Sequence, residues 1–209
     1  MGWYDTFASF YDVSLEKLYA PFRAHAAQRL ALAPGQQVLD AGCGTGQSFE
    51  VLCPAVGDSG RIVGVDFSAG MLAAARRRAE RRGFGSARLV QGSLLELDRN
   101  AVAEHLPDGR GFDRALCFLV LSALPDYEAV TWRVWELLEP GGTMVIVDTH
   151  AEKLGLQGRL VNLTARADIR RPVWSALEAI AEGYQFERLA APTKVGGDII
   201  VATGRKPRR

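Results

Sequence analysis

The run Val38 to Gly46 reads VLDAGCGTG and constrains this chain more than any other stretch. A short apolar pair, Val38 and Leu39, leads into a carboxylate, Asp40. Gly42, Gly44 and Gly46 then recur at every second position, with Cys43 and Thr45 between them. A helix-compatible segment follows, from Gln47 to Val56. This is a strand, a tight glycine turn and a helix start. Glycine carries no Cβ, so such a turn lets backbone N–H groups and a helix N-terminus approach a ligand closely. A second carboxylate, Asp66, ends the next apolar run, Ile62 to Val65. At the end of a second parallel strand, an acid at this spacing suits the hydroxyls of a ribose.

Strands and helices alternate around this feature. Strands are expected at 37–42, 61–67, 87–92, 112–120 and 143–149, and helices at 46–56, 69–83, 98–106 and 127–139. Such alternation implies a parallel sheet with right-handed crossovers and helices on both faces. Residues 173–182 read as helical, and two final strands, 184–190 and 198–204, are joined around Gly196-Gly197 by a link short enough to make them antiparallel. Before Pro34 and Gly35, large apolar groups at Trp3, Phe7, Phe10, Tyr11, Leu15, Leu18, Tyr19 and Phe22 recur in steps of three and four, as in an amphipathic helix or helix pair. The expected organisation is an N-terminal helical segment (1–34), one α/β domain (35–205) and a frayed basic tail from Lys206 to Arg209.

Composition excludes more than it selects. The formal net charge of +1 gives no overall electrostatic case for nucleic acid. The arginines at 76–78 and 81–82 read as a solvated helix face, since no aromatic residues interleave them. Cys43, Cys53 and Cys117 are an odd set without C-x-x-C spacing. They fit a reducing compartment and predict neither a disulfide framework nor a zinc site. No basic-then-apolar leader and no bilayer-length apolar run is visible, so a cytoplasmic location is expected.

The dinucleotide fingerprint is G-x-G-x-x-G; here the third glycine comes one residue early. The run instead resembles motif I of the class I S-adenosylmethionine (SAM) methyltransferases. VGVDFS (63–68) and LEPGGTMVIVD (138–148) follow in that family's order, and the resemblance extends from about Phe7 to Lys206. It implies a single-domain Rossmann-like α/β fold with strand order 3-2-1-4-5-7-6 and the last strand reversed. It also implies SAM as cofactor and S-adenosylhomocysteine as product. On that reading the turn from Gly42 through Thr45 to Gly46 offers backbone groups to the amino-acid end of the cofactor. Asp40 holds the ammonium through water or orients the turn, and Asp66 accepts both ribose hydroxyls. Phe67 and Met71 cover the adenine, with ordinary helix–sheet packing as the alternative. The family reads the adenine edge with an acid after strand 3. Here the run is Gly92-Ser93-Leu94, where the Ser93 hydroxyl and the Leu94 N–H take that part without charge assistance. Backbone carbonyls at Cys117 and Phe118 hold the ammonium.

Methyl transfer from a sulfonium needs alignment and exclusion of water, with no metal required, and no paired-His pattern suggests one. Strand 4 lacks the Asn/Asp-Pro-Pro-Tyr and Pro-Cys motifs of base methylases, which speaks against nucleic acid. His25 and His105 are expected on the surface. His150 follows strand 5 on the carboxyl edge of the sheet, where a general base would sit, with an exposed loop residue as the alternative. The opening TFASFYD (6–12) resembles that of methyltransferases acting on quinones and phospholipid headgroups, which implies Tyr11 as a cofactor-covering and catalytic-site residue. The ending from Gly196 to Pro207 resembles the same set. Together they point to N- or O-methylation of a small or lipid-like acceptor. An RNA or protein methyltransferase, a nicotinamide oxidoreductase and a non-catalytic SAM-binding protein are the alternatives. The aromatic N-terminal helix reads as a lid, a peripheral membrane contact or plain packing.

Overall fold

The structure, a computed structural model, describes residues 3–106, 109–152, 167–190 and 197–208, with side chains from Glu16 onward. In chain order the elements are α1 (Trp3–Leu30), β1 (Gln37–Ala41), α2 (Phe49–Val56), β2 (Arg61–Asp66), α3 (Ala69–Arg82), β3 (Ala87–Gln91) and α4 (Arg99–Ala103). Then come β4 (Phe112–Phe118), a 3-10 turn (Leu121–Ala123), α5 (Tyr127–Leu137), β5 (Leu138–His150), α6 (Ser175–Ile180), β6 (Glu182–Leu189) and β7 (Asp198–Arg205). The seven strands form one sheet in the order β3-β2-β1-β4-β5-β7-β6. Strands β1 to β5 pair in parallel, and β7 runs antiparallel to both β5 and β6, as the sequence led us to expect.

Each face of the sheet buries its own core. On one face, α1, α2 and α3 bring Ala26, Leu30, Phe49, Leu52, Leu72 and Ala75 onto Val38, Ile62, Leu116, Val145 and Val147. On the other, Val102, Val130, Val134, Trp135 and Leu177 from α4, α5 and α6 cover Leu39, Val63, Ala115, Met144 and Ile146. Alternate residues of each central strand therefore serve opposite cores, which is why those strands read as continuous apolar runs.

Boundaries move where local chemistry is specific. The first helix is one continuous element reaching Leu30, past the expected Phe22. Helix α2 starts at Phe49, because Gly46 has φ 75° and cannot join it. Helix α5 stops at Leu137, two residues early: Glu139 precedes Pro140, which disfavours the helical region, and the chain enters β5 at once. Strand β4 ends at Phe118 because Leu119 turns the chain with φ 53°. Helix α3 is stopped by Gly83, in the left-handed conformation.

Two expectations about charge are corrected. Arg76, Arg77 and Arg81 are exposed, but Arg78 is 5% exposed and turns inward. Its Nε donates to the carbonyl oxygen of Thr45 (3.1 Å), and its two Nη groups grip Glu16 at 2.9 and 3.0 Å, with Glu50 at 3.2 Å. The reason is its place in the stripe Leu72, Ala75, Arg78, which faces the sheet. The start of the basic tail is tied down as well: Lys206 Nζ donates to the carbonyl oxygens of Trp135 (2.8 Å) and Leu138 (2.7 Å), closing the C-terminus of α5. Arg78→Ala should cost roughly 2–3 kcal/mol, less than a fully buried ion pair because both glutamates keep some solvent. Urea denaturation measures it; a loss under 0.5 kcal/mol on that ~2–3 scale would show the network to be dispensable.

Candidate active site

The register of the parallel strands aligns their carboxyl ends. Ala41 lies beside Val65 on one side and Cys117 on the other, and Phe118 lies beside Val147. The glycine turn, the Asp66 corner and the turn after β4 therefore share one edge. Gly42 N and Cys43 N both donate to the carbonyl oxygen of Val65, folding the turn back on β2. Asp66 Oδ2 accepts from Gly44 N and its Oδ1 from Ser68 N, each at 2.9 Å. Ser68 Oγ accepts from Met71 N at 3.2 Å and so caps α3. Burial raises the Asp66 pKa, and the backbone N–H groups of Ser68, Gly44 and Phe67 oppose that rise.

The glycines divide by role. A Cβ on Gly42 would collide with the Val120 side chain, and one on Gly46 would stand 2.8 Å from the Phe49 ring. Gly44, at φ 55°, faces open space. Gly42 thus serves packing, whereas a side chain at Gly44 would meet open space. Gly42→Ala should lower the melting temperature by several degrees. Gly44→Val should keep the fold and abolish binding of S-adenosylhomocysteine; intact binding, read by calorimetry, would remove Gly44 from the cradle.

Asp40 is 1% exposed, and its Oδ2 has no hydrogen-bond partner. Burial pushes its carboxyl up to about 7, against the pull of the Arg23 guanidinium and with the push of Asp66. Its pKa lies above the unfolded value, so its protonation stabilises the empty fold fully below about pH 4, and that contribution is lost as pH rises through about 7. A bound ammonium reverses the preference by favouring the carboxylate. Affinity for S-adenosylhomocysteine should therefore climb from pH 6 to pH 8, and Asp40→Asn should flatten the climb. A parent protein with flat affinity would exclude Asp40 as the ammonium's partner.

The other expected site residues have these surroundings. Phe67 is 60% exposed, so core packing does not account for it. Met71 is half-buried on the first turn of α3. Ser93 Oγ accepts from Leu95 N at 3.3 Å, Leu94 is buried, and Gly92 donates to the carbonyl oxygen of Asp66. Cys117 is fully buried, and Phe118 is 8% exposed. Tyr11 lies within α1, but its side chain is outside the described residues. His25 is half-buried and 3.0 Å from Glu187; His105 is 3.3 Å from Glu104.

His150 is not an exposed loop residue. It is the last residue of β5, 7% exposed, with its ring edge-on to Trp174 at 4.8 Å. Burial lowers its pKa, which keeps the imidazole neutral at pH 7. Its neighbours brace the same corner: Asp148 accepts from Ser122 Oγ (2.7 Å), Ser122 N (3.0 Å) and Thr149 N (2.8 Å).

Sequence reading missed the contribution of the C-terminal half of α1. Arg23, 7% exposed, hydrogen-bonds the Gln47 side chain and the carbonyl oxygen of Glu16, and its guanidinium lies 4.9 Å from the Phe118 ring centroid. Tyr19 packs edge-on against Phe118, and burial raises the pKa of its phenol. The signal was present: Tyr19, Phe22, Arg23, Ala26 and Leu30 share one helical stripe, and a cation on such a stripe is a buried cation.

A sheet in this order, with a glycine turn after β1 and a carboxylate at the end of β2, defines the class I SAM-binding fold. The chain belongs to a methyltransferase domain family, whose profile matches residues 32–176. A demethylmenaquinone methyltransferase of Anoxybacillus flavithermus is 32% identical over 138 residues, 66% of this chain and 55% of that protein. An arsenite methyltransferase of Aquipseudomonas alcaligenes is 36% identical over 127 residues, 59% of this chain and 35% of that protein. The chain thus spans about half the length of the first relative and about a third of the second. A SAM-dependent methyltransferase from Aquifex aeolicus shares the fold, with a TM-score of 0.64 at 17% identity, over 96% of this chain and 97% of that one. The unpartnered Oδ2 of Asp40, the open face of Gly44 and the exposed Phe67 fit SAM, which is the cofactor of this family.

Proposed function

We propose that this chain is a SAM-dependent methyltransferase acting on a small, partly apolar or lipid-like acceptor with a quinone-type ring. The observation that carries the methyl-transfer reading is the Asp40–Gly44–Asp66 constellation on one sheet edge in a chain of the methyltransferase domain family. The bound cofactor supplies a methyl group activated on sulfur. The chain's own groups orient the cofactor's ends, exclude water and align an acceptor beside β4 and β5. Asp40 takes the ammonium, Asp66 the ribose, and Phe67 with Met71 the adenine face. Ser93 and Leu94 take the adenine edge, and His150 receives the acceptor's proton.

Two relatives name different substrates, and the burial of this chain's cysteines supports the quinone-type one. Arsenic(III) binds thiolates. Cys43, Cys53 and Cys117 are this chain's only cysteines, all are buried, and burial pushes each thiol up, Cys53 to about 11. None is poised as a thiolate ligand, so the quinone-type reading is favoured. Helix α3 joins the carboxyl end of β2 to the start of β3, so the exposed arginines near its C-terminus point away from the cofactor edge. That placement disfavours an RNA acceptor. Among the described residues no helix is long and apolar enough to cross a membrane.

The test is transfer of labelled methyl from SAM to a demethylated naphthoquinol, phosphatidylethanolamine vesicles, arsenite, and total RNA. Label in the quinol is the expected result. Label in arsenite or RNA alone would replace the substrate assignment. Binding of SAM without transfer to any acceptor would favour a non-catalytic SAM-binding role.

A further inference from the structure

We infer that Arg78 is a positioning residue for the glycine turn and that, through Glu16, it couples the turn to the seating of α1. The inference rests on the SAM reading above. Arg78 lies on α3, away from the residues assigned to the cofactor, and is 5% exposed. Its Nε donates to the carbonyl oxygen of Thr45 at 3.1 Å, so one bond of the guanidinium ends on the turn itself. Its Nη1 and Nη2 hold the two carboxylate oxygens of Glu16, on α1, at 2.9 and 3.0 Å. Nη1 also reaches Glu50, on α2, at 3.2 Å. One side chain thus joins α1, α2 and α3 to the backbone of the turn.

The turn needs holding from outside. Gly44 and Gly46 have φ of 55° and 75°, and glycines on both sides of Thr45 leave the peptide groups between them free to reorient. Two charged side chains restrict them. Asp66 accepts from Gly44 N at 2.9 Å, and Arg78 takes the Thr45 carbonyl. A turn ordered in advance spares a ligand the cost of ordering it.

The link to α1 follows from the shape of the guanidinium. It is planar and rigid, so the paired bonds to Glu16 set the direction in which Nε points. With Glu16 seated, Nε points at Thr45. With Glu16 displaced, the fork loses the two-point hold that aims it and keeps Glu50, which Arg82 also holds at 3.0 Å. What seats α1 therefore orders the turn, and what orders the turn seats α1, since such coupling is reciprocal. Packing alone does not account for the residue. Its neighbours on the buried stripe are Leu72 and Ala75, and an apolar side chain there would avoid the cost of burying a charge.

Calorimetry and hydrogen exchange on the full chain, with S-adenosylhomocysteine as the probe, test this. In the parent, the ligand should slow exchange across residues 16–30 of α1 as well as at the turn. Arg78→Gln, at a temperature where it is folded, should bind about tenfold more weakly, and binding should no longer slow exchange in α1. Glu16→Ala keeps Arg78 and removes its link to α1; it should lose several-fold in affinity and the α1 protection as well. Parental affinity in folded Arg78→Gln, with only a lower melting temperature, would make the network structural and overturn the inference. So would α1 protection that survives in both variants, or a parent whose α1 exchange ignores the bound ligand. If Arg78→Gln does not fold, Glu16→Ala decides: either parental affinity or parental protection refutes the coupling. A parent that does not bind S-adenosylhomocysteine overturns the SAM reading itself, and this inference with it.

Discussion

Asp66→Ala is expected to weaken binding of S-adenosylhomocysteine by about 2–4 kcal/mol, roughly 30- to 1,000-fold. The carboxylate does two jobs. Its oxygens already accept the Gly44 and Ser68 N–H groups, which fixes the glycine turn to the corner before α3. Each oxygen has a second lone-pair site, and these are what the ribose hydroxyls would use. Removing the side chain takes away the ribose acceptors and frees the turn together. Asp66→Asn keeps one acceptor oxygen and should fall between parent and alanine. Titration calorimetry measures all three; parental affinity in Asp66→Ala would reject Asp66 as the ribose residue.

The second large effect concerns turnover. His150→Ala should lower it by about 10²–10⁴-fold on the true acceptor while leaving cofactor affinity nearly intact. His150 ends β5 beyond the level of Phe118, and burial holds it neutral and ready to accept a proton. The pH profile carries the sign. A base works unprotonated, so kcat/KM should fall as pH drops through a pKa below the ordinary histidine value, and His150→Ala should lose that limb. Full activity in the variant, with only a loss of stability from the Trp174 contact, would mean that the acceptor arrives already deprotonated.

The sheet was legible because its punctuation is local. Glycines at 42, 44 and 46, the pair Pro34-Gly35 and the apolar runs at 62–65 and 144–147 each mark an element by their own chemistry. The placing of Asp40 and Asp66 near strand ends was legible for the same reason, since the pattern already located those strands. What stayed hidden depends on which side of a helix faces the sheet. Arg23 and Arg78 look solvated by residue type, and only their phase relative to Ala26 and Ala75 turns them inward. Lys206 was hidden by distance: its acceptors at Trp135 and Leu138 are brought to it by the pairing of β5 with β7. His150 lay between, because its position at the strand end was readable and its partner Trp174 was not.

The place of β7 between β5 and β6 has a consequence for biosynthesis. β6 precedes β7 in the chain, so a ribosome delivers the outer strand before the one that must lie inside it. Until β7 emerges, β5 presents an open edge and β6 has no strand to pair with. The parallel half of the sheet can assemble early from neighbouring β–α units, but its far side must wait for an insertion. A nascent chain stalled between β6 and β7 should therefore be open to chaperones and proteases along the β5 edge, and should become resistant in one step when the inner strand slots home.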